Sequence, residues 1–350
     1  MGILICMENF FKYICEPQVC NEDKLAPKDW CRLYSLAHSQ GVGSIVWSNI
    51  GNKSLLPKVL KIQWALEAEY VKINYNNQKR VIKEISNIFA AHLIKTYCLK
   101  GLSLSQYYPI PSLRECGDFD CYLDGNFDYG NAIAVNSGAD FDPHDYRHSL
   151  ILYKGLQIEN HRYFLPIRAN ARNKRLERYL REVINCDNKV EDIELYKPSA
   201  QFHALFIILH MLQHFLYENI TIRHMLDWVY FVNSEKEYID WREFNSRCEE
   251  AGAAKFVAAL NYICESYLRL NIDGTLLCSN KTNAAKILSD TIEQKALRVS
   301  KIQSLWSQRL AKVRNIYEQK WKFDNLYDRS FISSILQPAI GILIEKNVKL

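Results

Sequence analysis

Two stretches decide the fold of this chain: Lys100-Gly101-Leu102-Ser103, and then Gly117-Asp118-Phe119-Asp120-Cys121-Tyr122-Leu123. Apolar residues precede the first stretch and surround the two aspartates of the second. This pattern predicts a short strand that ends at Gly101 and another strand that leads to Leu123. Because side chains alternate along a strand, Asp118 and Asp120 point to one face, about 7 Å apart. Two carboxylates so placed can share one divalent cation or bracket a pair of cations.

A third acid follows on a later strand. Glu159 is in phase with Gln157 and His161, and Lys154-Gly155 predicts the turn of a hairpin that joins this strand to His148–Tyr153. Hard cations such as Mg²⁺ prefer oxygen ligands and bind phosphates well. Three carboxylates beside a glycine turn therefore predict metal-assisted phosphoryl transfer. The alternative for Glu159 is a place on the solvated face of the hairpin.

These residues also carry a resemblance. The glycine turn, the Asp-x-Asp strand and the later acid resemble the nucleotidyltransferase fold of the DNA polymerase β superfamily. In more detail, the chain resembles that superfamily's uncharacterised nucleotidyltransferase-like family over about residues 60–235. The matching positions are Leu99-Lys100-Gly101, Arg114, Asp118-x-Asp120, Glu159-x-His161, His210, His214, Arg223 and Asp227. One departure is that Leu102 separates Gly101 from Ser103, two residue types that are adjacent in the superfamily.

The resemblance implies an activity and a set of site residues. A nucleoside monophosphate would pass from a nucleoside triphosphate to an acceptor hydroxyl, most simply on a small molecule, with release of pyrophosphate. Asp118, Asp120 and Glu159 would be the catalytic and metal-binding residues, holding two Mg²⁺ or Mn²⁺ ions. The remaining nucleotide-binding residues would be Lys100, Gly101, Ser103, Arg114, His161, His210, His214 and Arg223. Neither the acceptor nor the base of the triphosphate follows from the sequence.

The two arginines of this set have structural alternatives. Arg114 either neutralises a triphosphate or forms a salt bridge with Glu115 or Asp118. Arg223 and Asp227 are four residues apart on a helix, so an ion pair between them is the simplest expectation. Contact with phosphate is the alternative for Arg223.

Three histidines share one face of a later helix. His203, His210 and His214 have the spacing i, i+7, i+11, and the rest of the helix is apolar, which predicts that it is buried. A buried polar stripe needs partners. We therefore predict that this face forms a wall of the cleft, with His210 or His214 within one side-chain length of the two aspartates. Zinc binding by the i, i+4 pair is disfavoured, because histidines in an apolar helix are more often hydrogen-bonded residues of a helix interface. Residue 211 is Met, where a zinc protease would have Glu.

Composition limits the class of protein. The 350 residues are 48% hydrophobic and 24% charged, which is typical of globular proteins with two or three packed units. A net charge of only +5 does not favour a nucleic-acid binder. Eleven cysteines without a Cys-x-x-Cys pair or a secretory signal indicate reduced thiols and a cytoplasmic protein. No apolar stretch reaches ~20 residues, so no membrane span is predicted.

The predicted architecture is α+β, a small mixed sheet between helical regions. The expected units are an N-terminal helical region over 1–92, a nucleotidyltransferase core over 93–190 and a C-terminal helical domain over 191–350. Asp140 and Asp142 precede Pro143 and are predicted as a loop pair, not a second metal site. Residues 168–183 are predicted as a basic, solvated helix, and helix is expected up to residue 346, ending in an amphipathic segment over 331–344.

Two other classes of function remain open. The fold can serve as a non-catalytic nucleotide sensor or partner-binding module. It can also transfer a nucleotide to a protein or to nucleic acid instead of a small molecule. The sequence leaves the oligomeric state undetermined.

Overall fold

The computed structural model describes residues 2–16, 25–143, 145–168, 170–186, 188–190, 193–293, 319–328 and 331. It has one five-stranded mixed sheet, with helices before it and after it along the chain. The predicted α+β class is therefore confirmed. Among the described residues, no helix combines the length and the apolar character that crossing a bilayer requires.

The N-terminal part is helical, as predicted. Its helices are α1 (Gly2–Cys15), α2 (Pro27–Ser39), α3 (Gly43–Asn49) and the long α4 (Lys58–Ala91). Pro27 occupies the first turn of α2 and Pro57 caps α4. Proline is tolerated at these positions because the first backbone N–H groups of a helix have no partner within it.

The sheet is built from five short strands in the order β1-β2-β5-β4-β3. They are β1 (Tyr97–Cys98), β2 (Phe119–Tyr122), β3 (Asp140–Asp142), β4 (His148–Tyr153) and β5 (Leu156–His161). Strands β2 and β5 are parallel, and the other pairs are antiparallel. The predicted hairpin forms β4 and β5, with Lys154 at φ 48° and Gly155 at φ 79° in its turn. Positive φ at both central residues suits the right-handed twist of a hairpin.

Strand β3 corrects the prediction of a loop for the pair Asp140 and Asp142. Both acids lie in an edge strand that pairs antiparallel with β4, and both are exposed. An edge strand needs backbone partners on one side only and accepts charged side chains, which also discourage pairing with other chains. The sequence prediction failed because the hydrogen-bonding partner, β4, lies later in the chain.

The remaining helices come later in the chain than β1. Some of them connect strands of the sheet, and the others come after its last strand. They are α5 (Leu102–Ser105), α6 (Phe127–Asn136), α7 (Ala171–Val183), α8 (Ala200–Tyr217), α9 (Ile222–Glu235), α10 (Trp241–Ala251), α11 (Ala254–Leu268), α12 (Ala284–Glu293) and α13 (Lys320–Leu326). The expectation of helix throughout the C-terminal part is wrong for residues 269–283, which form turns and irregular backbone. Arg269 at φ 61° ends α11, and Gly274 at φ 76° forms a turn. Apart from Phe331, the predicted amphipathic segment over 331–344 lies outside the described residues.

The basic helix α7 has the predicted solvated face at Lys174, Arg175 and Arg178, and some of its basic residues also contact neighbouring elements. Arg172 donates to the Ala251 carbonyl at 3.2 Å, and Arg175 pairs with Glu250 at 2.6 Å. Arg181 pairs with Glu177 one turn earlier. Long basic side chains can thus cover apolar surface and tie α7 to neighbouring elements.

Two hydrophobic cores lie on opposite faces of the sheet. On one face, alternate residues of the strands pack against the second half of α4 and against α6; examples are Phe119, Cys121, Ile151 and Ile158. The other core joins the N-terminal helices to α7–α11 and includes Tyr97, Tyr122 and Phe164 from the sheet region. The face of β2 that carries Asp120 therefore looks toward α8. The predicted domain boundaries remain predictions.

Candidate active site

The parallel pairing of β2 with β5 brings two of the predicted acids together. Asp120 and Glu159 are direct partners in the register. Neighbouring strands lie about 4.8 Å apart, so their side chains meet on one face. Asp118 lies just before β2, lines the same cleft as Asp120 and helps to raise the pKa of Glu159. All three carboxylates predicted from the sequence thus converge at one end of this strand pair.

A histidine completes a compact group of potential metal ligands. One ligand atom each from Asp120, Glu159 and His161 lie within 4.8 Å of one another. His161 Nε2 is 3.1 Å from Asp120 Oδ1 and 3.8 Å from Glu159 Oε2. The Asp120 side chain is 2% exposed and that of Glu159 is 21% exposed. The group is therefore open to solvent mainly on the Glu159 side.

The two carboxylates have opposite electrostatic environments. Burial opposes ionisation of Asp120, but Lys100 and His161 outweigh this effect and hold its pKa below the usual range. Burial, together with repulsion from Asp120 and Asp118, raises the pKa of Glu159 to about 7. Repulsion of this kind between carboxylates is what a bound cation relieves.

A row of polar side chains leads from Asp120 to the surface. Lys100 Nζ lies 2.9 Å from Asp120 Oδ1 and 3.0 Å from His210 Nε2. His210 Nε2 is 2.9 Å from His214 Nε2, and His214 Nδ1 is 2.6 Å from a carboxylate oxygen of Glu218. Burial and the adjacent Lys100 ammonium keep the pKa of His210 well below its ordinary value. His210 is thus a neutral partner for the Lys100 ammonium group.

The placement predicted for the histidine helix is confirmed for two of its three histidines. His210 and His214 line a cleft of about 180 Å³ together with Asp118 and Asp120. For His203 the predicted place in the cleft wall is wrong. It is fully buried, its Nε2 lies 3.1 Å from the Leu99 carbonyl oxygen, and burial lowers its pKa to about 3. It lies two turns before His210, where α8 packs directly on the strand that leads to Lys100.

Arg114 does not form the salt bridge to Glu115 or Asp118 that was the structural alternative for it. Its Nε and Nη2 bind the two carboxylate oxygens of Asp227 at 2.7 and 2.8 Å. Nη1 donates to the Glu115 carbonyl and to Cys116 Sγ, and Tyr108 donates its hydroxyl hydrogen to the same aspartate at 2.7 Å. The side chain borders the cleft, but its donors are engaged with the protein. Sequence analysis missed this pair because its partner is 113 residues away.

The helical pair expected between Arg223 and Asp227 does not form, because Arg114 occupies the aspartate. Arg223 instead packs its side chain over Gly41 and donates Nη1 to the Glu115 carbonyl at 3.1 Å. Its Nε is buried and has no hydrogen-bond partner among the described residues. Arg223 lines the cleft. Of the two arginines at the cleft, Arg223 is the one whose guanidinium has N–H groups without a protein partner among the described residues.

The glycine turn that the sequence predicted is present at Gly101. Gly101 adopts φ 59° and ψ −112°, a conformation that residues with a Cβ atom avoid. Ser103, in contrast, is fully buried, and its hydroxyl donates to the Lys100 carbonyl at 3.3 Å. A phosphate contact from this turn would therefore come from its backbone and not from the serine hydroxyl.

Some residues at the site were not singled out by sequence analysis. Glu218 ends the polar row, and His148 stacks near His161, with ring centroids 5.5 Å apart. His224 also lines the cleft; burial and the Arg223 charge lower its pKa to about 3. The sequence contains a signal for the position of His224, because this residue forms a capping box with Thr221 at the start of α9. His148 had one too, since it pairs with His161 across the predicted hairpin.

Comparison with known proteins supports the resemblance drawn from these residues. Neither the curated proteins nor the solved structures gave a match. Residues 26–269 match the model of a family described as uncharacterised nucleotidyltransferase. That range includes the glycine turn, the three carboxylates and the two histidines of the cleft wall. The chain therefore belongs to this nucleotidyltransferase family.

Proposed function

We propose that the protein is a metal-dependent nucleotidyltransferase that moves a nucleoside monophosphate from a nucleoside triphosphate to an acceptor hydroxyl, with release of pyrophosphate. The observation that supports this most is the meeting of Asp118, Asp120 and Glu159 at paired parallel strands. Family membership supports the reaction class. A small molecule is the proposed acceptor, and a magnesium or manganese ion is the proposed cofactor.

The donor set fits a hard divalent cation. Asp120 stays ionised inside the protein, and Glu159 is crowded by two other carboxylates. Such an arrangement is unfavourable by itself and becomes favourable when a cation neutralises it. Bound divalent ions would bind the phosphate oxygens, stabilise charge that develops on them and lower the pKa of an acceptor hydroxyl.

His161 fits better as a positioning residue than as a metal ligand. Its Nε2 is directed at Asp120, and its Nδ1 is buried without a hydrogen-bond partner among the described residues. Asp120 Oδ1, 3.1 Å from Nε2, offers this nitrogen a hydrogen-bond acceptor in place of a metal ion. With the proton on Nε2, His161 donates to Asp120 and fixes the orientation of its carboxylate.

The other residues of the cleft have distinct proposed roles. Lys100 lies between Asp120 and His210, where its ammonium group can bind a phosphate oxygen. Arg223 uses Nη1 on the Glu115 carbonyl, and its Nη2 is the proposed donor to phosphate in the cleft. Gly101 permits close approach of the triphosphate to the backbone. The hydroxyl oxygen of the acceptor attacks the α-phosphorus, the bond to pyrophosphate breaks, and the hydroxyl proton passes to Glu159.

The test is thermal unfolding of the protein with each of the four nucleoside triphosphates, with and without magnesium. Ligand binding raises the melting temperature by mass action. We expect a magnesium-dependent increase for wild type and its loss in Asp118→Asn and Asp120→Asn. The matched control is Asp140→Asn, which alters an exposed acid of β3 and should leave the increase unchanged.

Three outcomes bear on the proposal. An equal magnesium-dependent shift in wild type and in both site variants would contradict the metal site. Unfolded site variants would mark these aspartates as structural, so circular dichroism of each variant is measured first. Magnesium-dependent binding without pyrophosphate release would favour the nucleotide sensor instead of the enzyme.

A further inference from the structure

A second cavity lies on the neighbouring face of the helix that walls the candidate site. It has a volume of about 540 Å³ and lies between α7, α8 and the loop before β4. Its apolar lining includes five leucines and Tyr327; the leucines are Leu165, Leu176, Leu209, Leu212 and Leu216. Pockets for small ligands have this size and this apolar lining, with a few polar groups that fix the orientation of the ligand.

Several polar side chains also line this cavity, and Arg147 is one of them; the others include Asp145, Arg168, Asn170, Asn173 and Gln213. The contacts of Arg147 within the protein are long: Nε lies 3.4 Å from Asp145 Oδ2, and Nη1 lies 3.4 Å from Gln213 Oε1. Its side chain is 21% exposed. A guanidinium held so loosely keeps donors for a carboxylate or phosphate group of a ligand. Arg114 shows the contrast, since Asp227 holds it bidentately at 2.7 and 2.8 Å.

The cavity adjoins the acceptor side of the proposed active site. Arg147 immediately precedes His148, which is the direct partner of His161 in the hairpin. Its carbonyl oxygen accepts the backbone N–H of Arg162 at 2.7 Å, just beyond the end of β5. On α8, Gln213 lines this cavity and the next residue, His214, lines the cleft. Glu218 lies within electrostatic reach of both Arg147 and Lys100.

Glu159 is the more accessible of the two acids that meet at β2 and β5. Asp120 is covered by Lys100 and His210, whereas Glu159 is part-exposed and faces Leu150 on β4. Arg147 lies just before β4, the strand that pairs with the Glu159 strand. The nucleotide cleft is on the other side of Asp120, toward Arg223 and Asp227.

We infer that this cavity, which we call the leucine cavity, binds the acceptor, and that the acceptor is a hydroxylated compound with an apolar body and an anionic group. The apolar body lies among the leucines, and the anionic group pairs with Arg147. The hydroxyl points toward Glu159. Its oxygen forms the new bond to the α-phosphorus as pyrophosphate leaves, and its proton passes to Glu159. The assignment as acceptor site rests on the proposed function, whereas the cavity and its anionic ligand do not.

The experiment uses two fluorescent probes that differ in one group. 6-Hydroxy-2-naphthoate has an apolar body, a hydroxyl and a carboxylate, and 2-naphthol lacks the carboxylate. Titration of the full-length protein, without magnesium or nucleotide, should show saturable binding of both, with the naphthoate tighter. Arg147→Gln should weaken naphthoate binding about tenfold or more, the size expected for a charge-assisted hydrogen bond, and should leave naphthol binding unchanged.

Two further variants locate the binding site. Gln213→Trp places a large side chain at the edge of the cavity without entering the packed core, and should weaken both probes. Arg162→Gln changes an arginine that pairs with Asp128 outside the cavity and should change neither. Absence of saturable naphthoate binding to wild type, or equal affinity in wild type and Arg147→Gln, would overturn the inference.

The same titration separates this inference from the proposed function. Asp120→Asn removes the proposed metal site but leaves the cavity intact, so naphthoate affinity should be unchanged. Magnesium-dependent triphosphate binding without naphthoate binding would refute the leucine cavity and keep the nucleotidyltransferase. Naphthoate binding without triphosphate binding would keep the cavity and refute its role as an acceptor site.

Discussion

Asp120 and Asp227 are both buried, and in both the positive neighbours hold the pKa below the usual range against the effect of burial. Their hydrogen bonds differ. Asp227 uses both oxygens on Arg114 and accepts a further hydrogen bond from Tyr108. Asp120 has Lys100 and His161 on a single oxygen, Oδ1, and Glu159 as its strand partner.

The difference shows that burial alone does not distinguish a structural acid from a ligand-binding acid. Asp227 and Arg114 form what we call a closed pair, because Arg114 presents two N–H donors in a fixed geometry that matches the carboxylate. Asp120 is an open group, since its partners leave capacity for another cation and a second acid adds negative charge beside it. Breaking the closed pair should change stability, and breaking the open group should change ligand binding.

The largest expected effect is on the closed pair. Arg114→Met leaves Asp227 buried without its countercharge, and removal of one partner of a buried ion pair costs about 3–5 kcal/mol. We therefore expect the free energy of unfolding, measured with urea, to fall by about that amount. The matched control is Arg223→Met, which loses a single hydrogen bond and should cost about 1 kcal/mol. Equal losses in the two variants would contradict the distinction between closed and open groups.

The second prediction concerns the open group. Glu159→Gln keeps the size of the side chain but removes the charge that receives the acceptor proton. Triphosphate binding should persist, whereas pyrophosphate release should fall about 100-fold, the usual scale for losing one preorganised transition-state contact. Release is measured with the triphosphate that gives the largest magnesium-dependent thermal shift. Gln157→Ala, an exposed change two residues earlier, is the control, and wild-type release in Glu159→Gln would refute the role of this acid.

The third prediction uses an incompletely paired charge elsewhere. Lys322 is 2% exposed, donates to the Phe215 carbonyl at 2.8 Å and lies 3.9 Å from Asp290. Burial lowers its pKa from 10.5 to about 8, although Asp290 opposes the change. Between these pH values the unfolded chain binds more protons at this residue than the folded chain, so raising the pH stabilises the folded state.

The expected size follows from that difference in pKa. From pH 7.5 to 9.5 the free energy of unfolding of wild type should rise by about 2 kcal/mol relative to Lys322→Met, which has no titrating group there. Urea denaturation of both proteins at the two pH values measures it. A constant difference between them would mean that Lys322 is paired as completely as Arg114.

Several features of the site were predictable because their physical causes are local in the chain. Gly101 precedes a turn that requires positive φ, and the hairpin turn at Lys154-Gly155 fixes β4 against β5. Alternation placed Glu159 in phase with His161, and helical spacing placed His210 beside His214. Each of these inferences spans only a few residues, so the periodicity of a strand or helix is sufficient to make it.

Contacts between distant parts of the chain were not predictable in this way. The partner of Arg114 is on α9, His203 is sealed by the strand before Lys100, and Asp140 belongs to a strand whose partner is later in the chain. Each depends on which elements pack together. The hydrophobic periodicity of a single sequence does not indicate which elements pack together.

The sequence by itself determined the residue types of the site, their phase on each strand and helix, and the resemblance to a nucleotidyltransferase family. Only the tertiary structure decided which charges meet. Asp120 and Glu159 are 39 residues apart in the chain, and the parallel pairing of β2 with β5 brings them together. The pairing of β1 with β2 brings Lys100 to Asp120, and the packing of α9 brings Asp227 to Arg114. Electrostatic energies depend on the distances between charged groups and on their burial, and the order of the residues gives neither quantity.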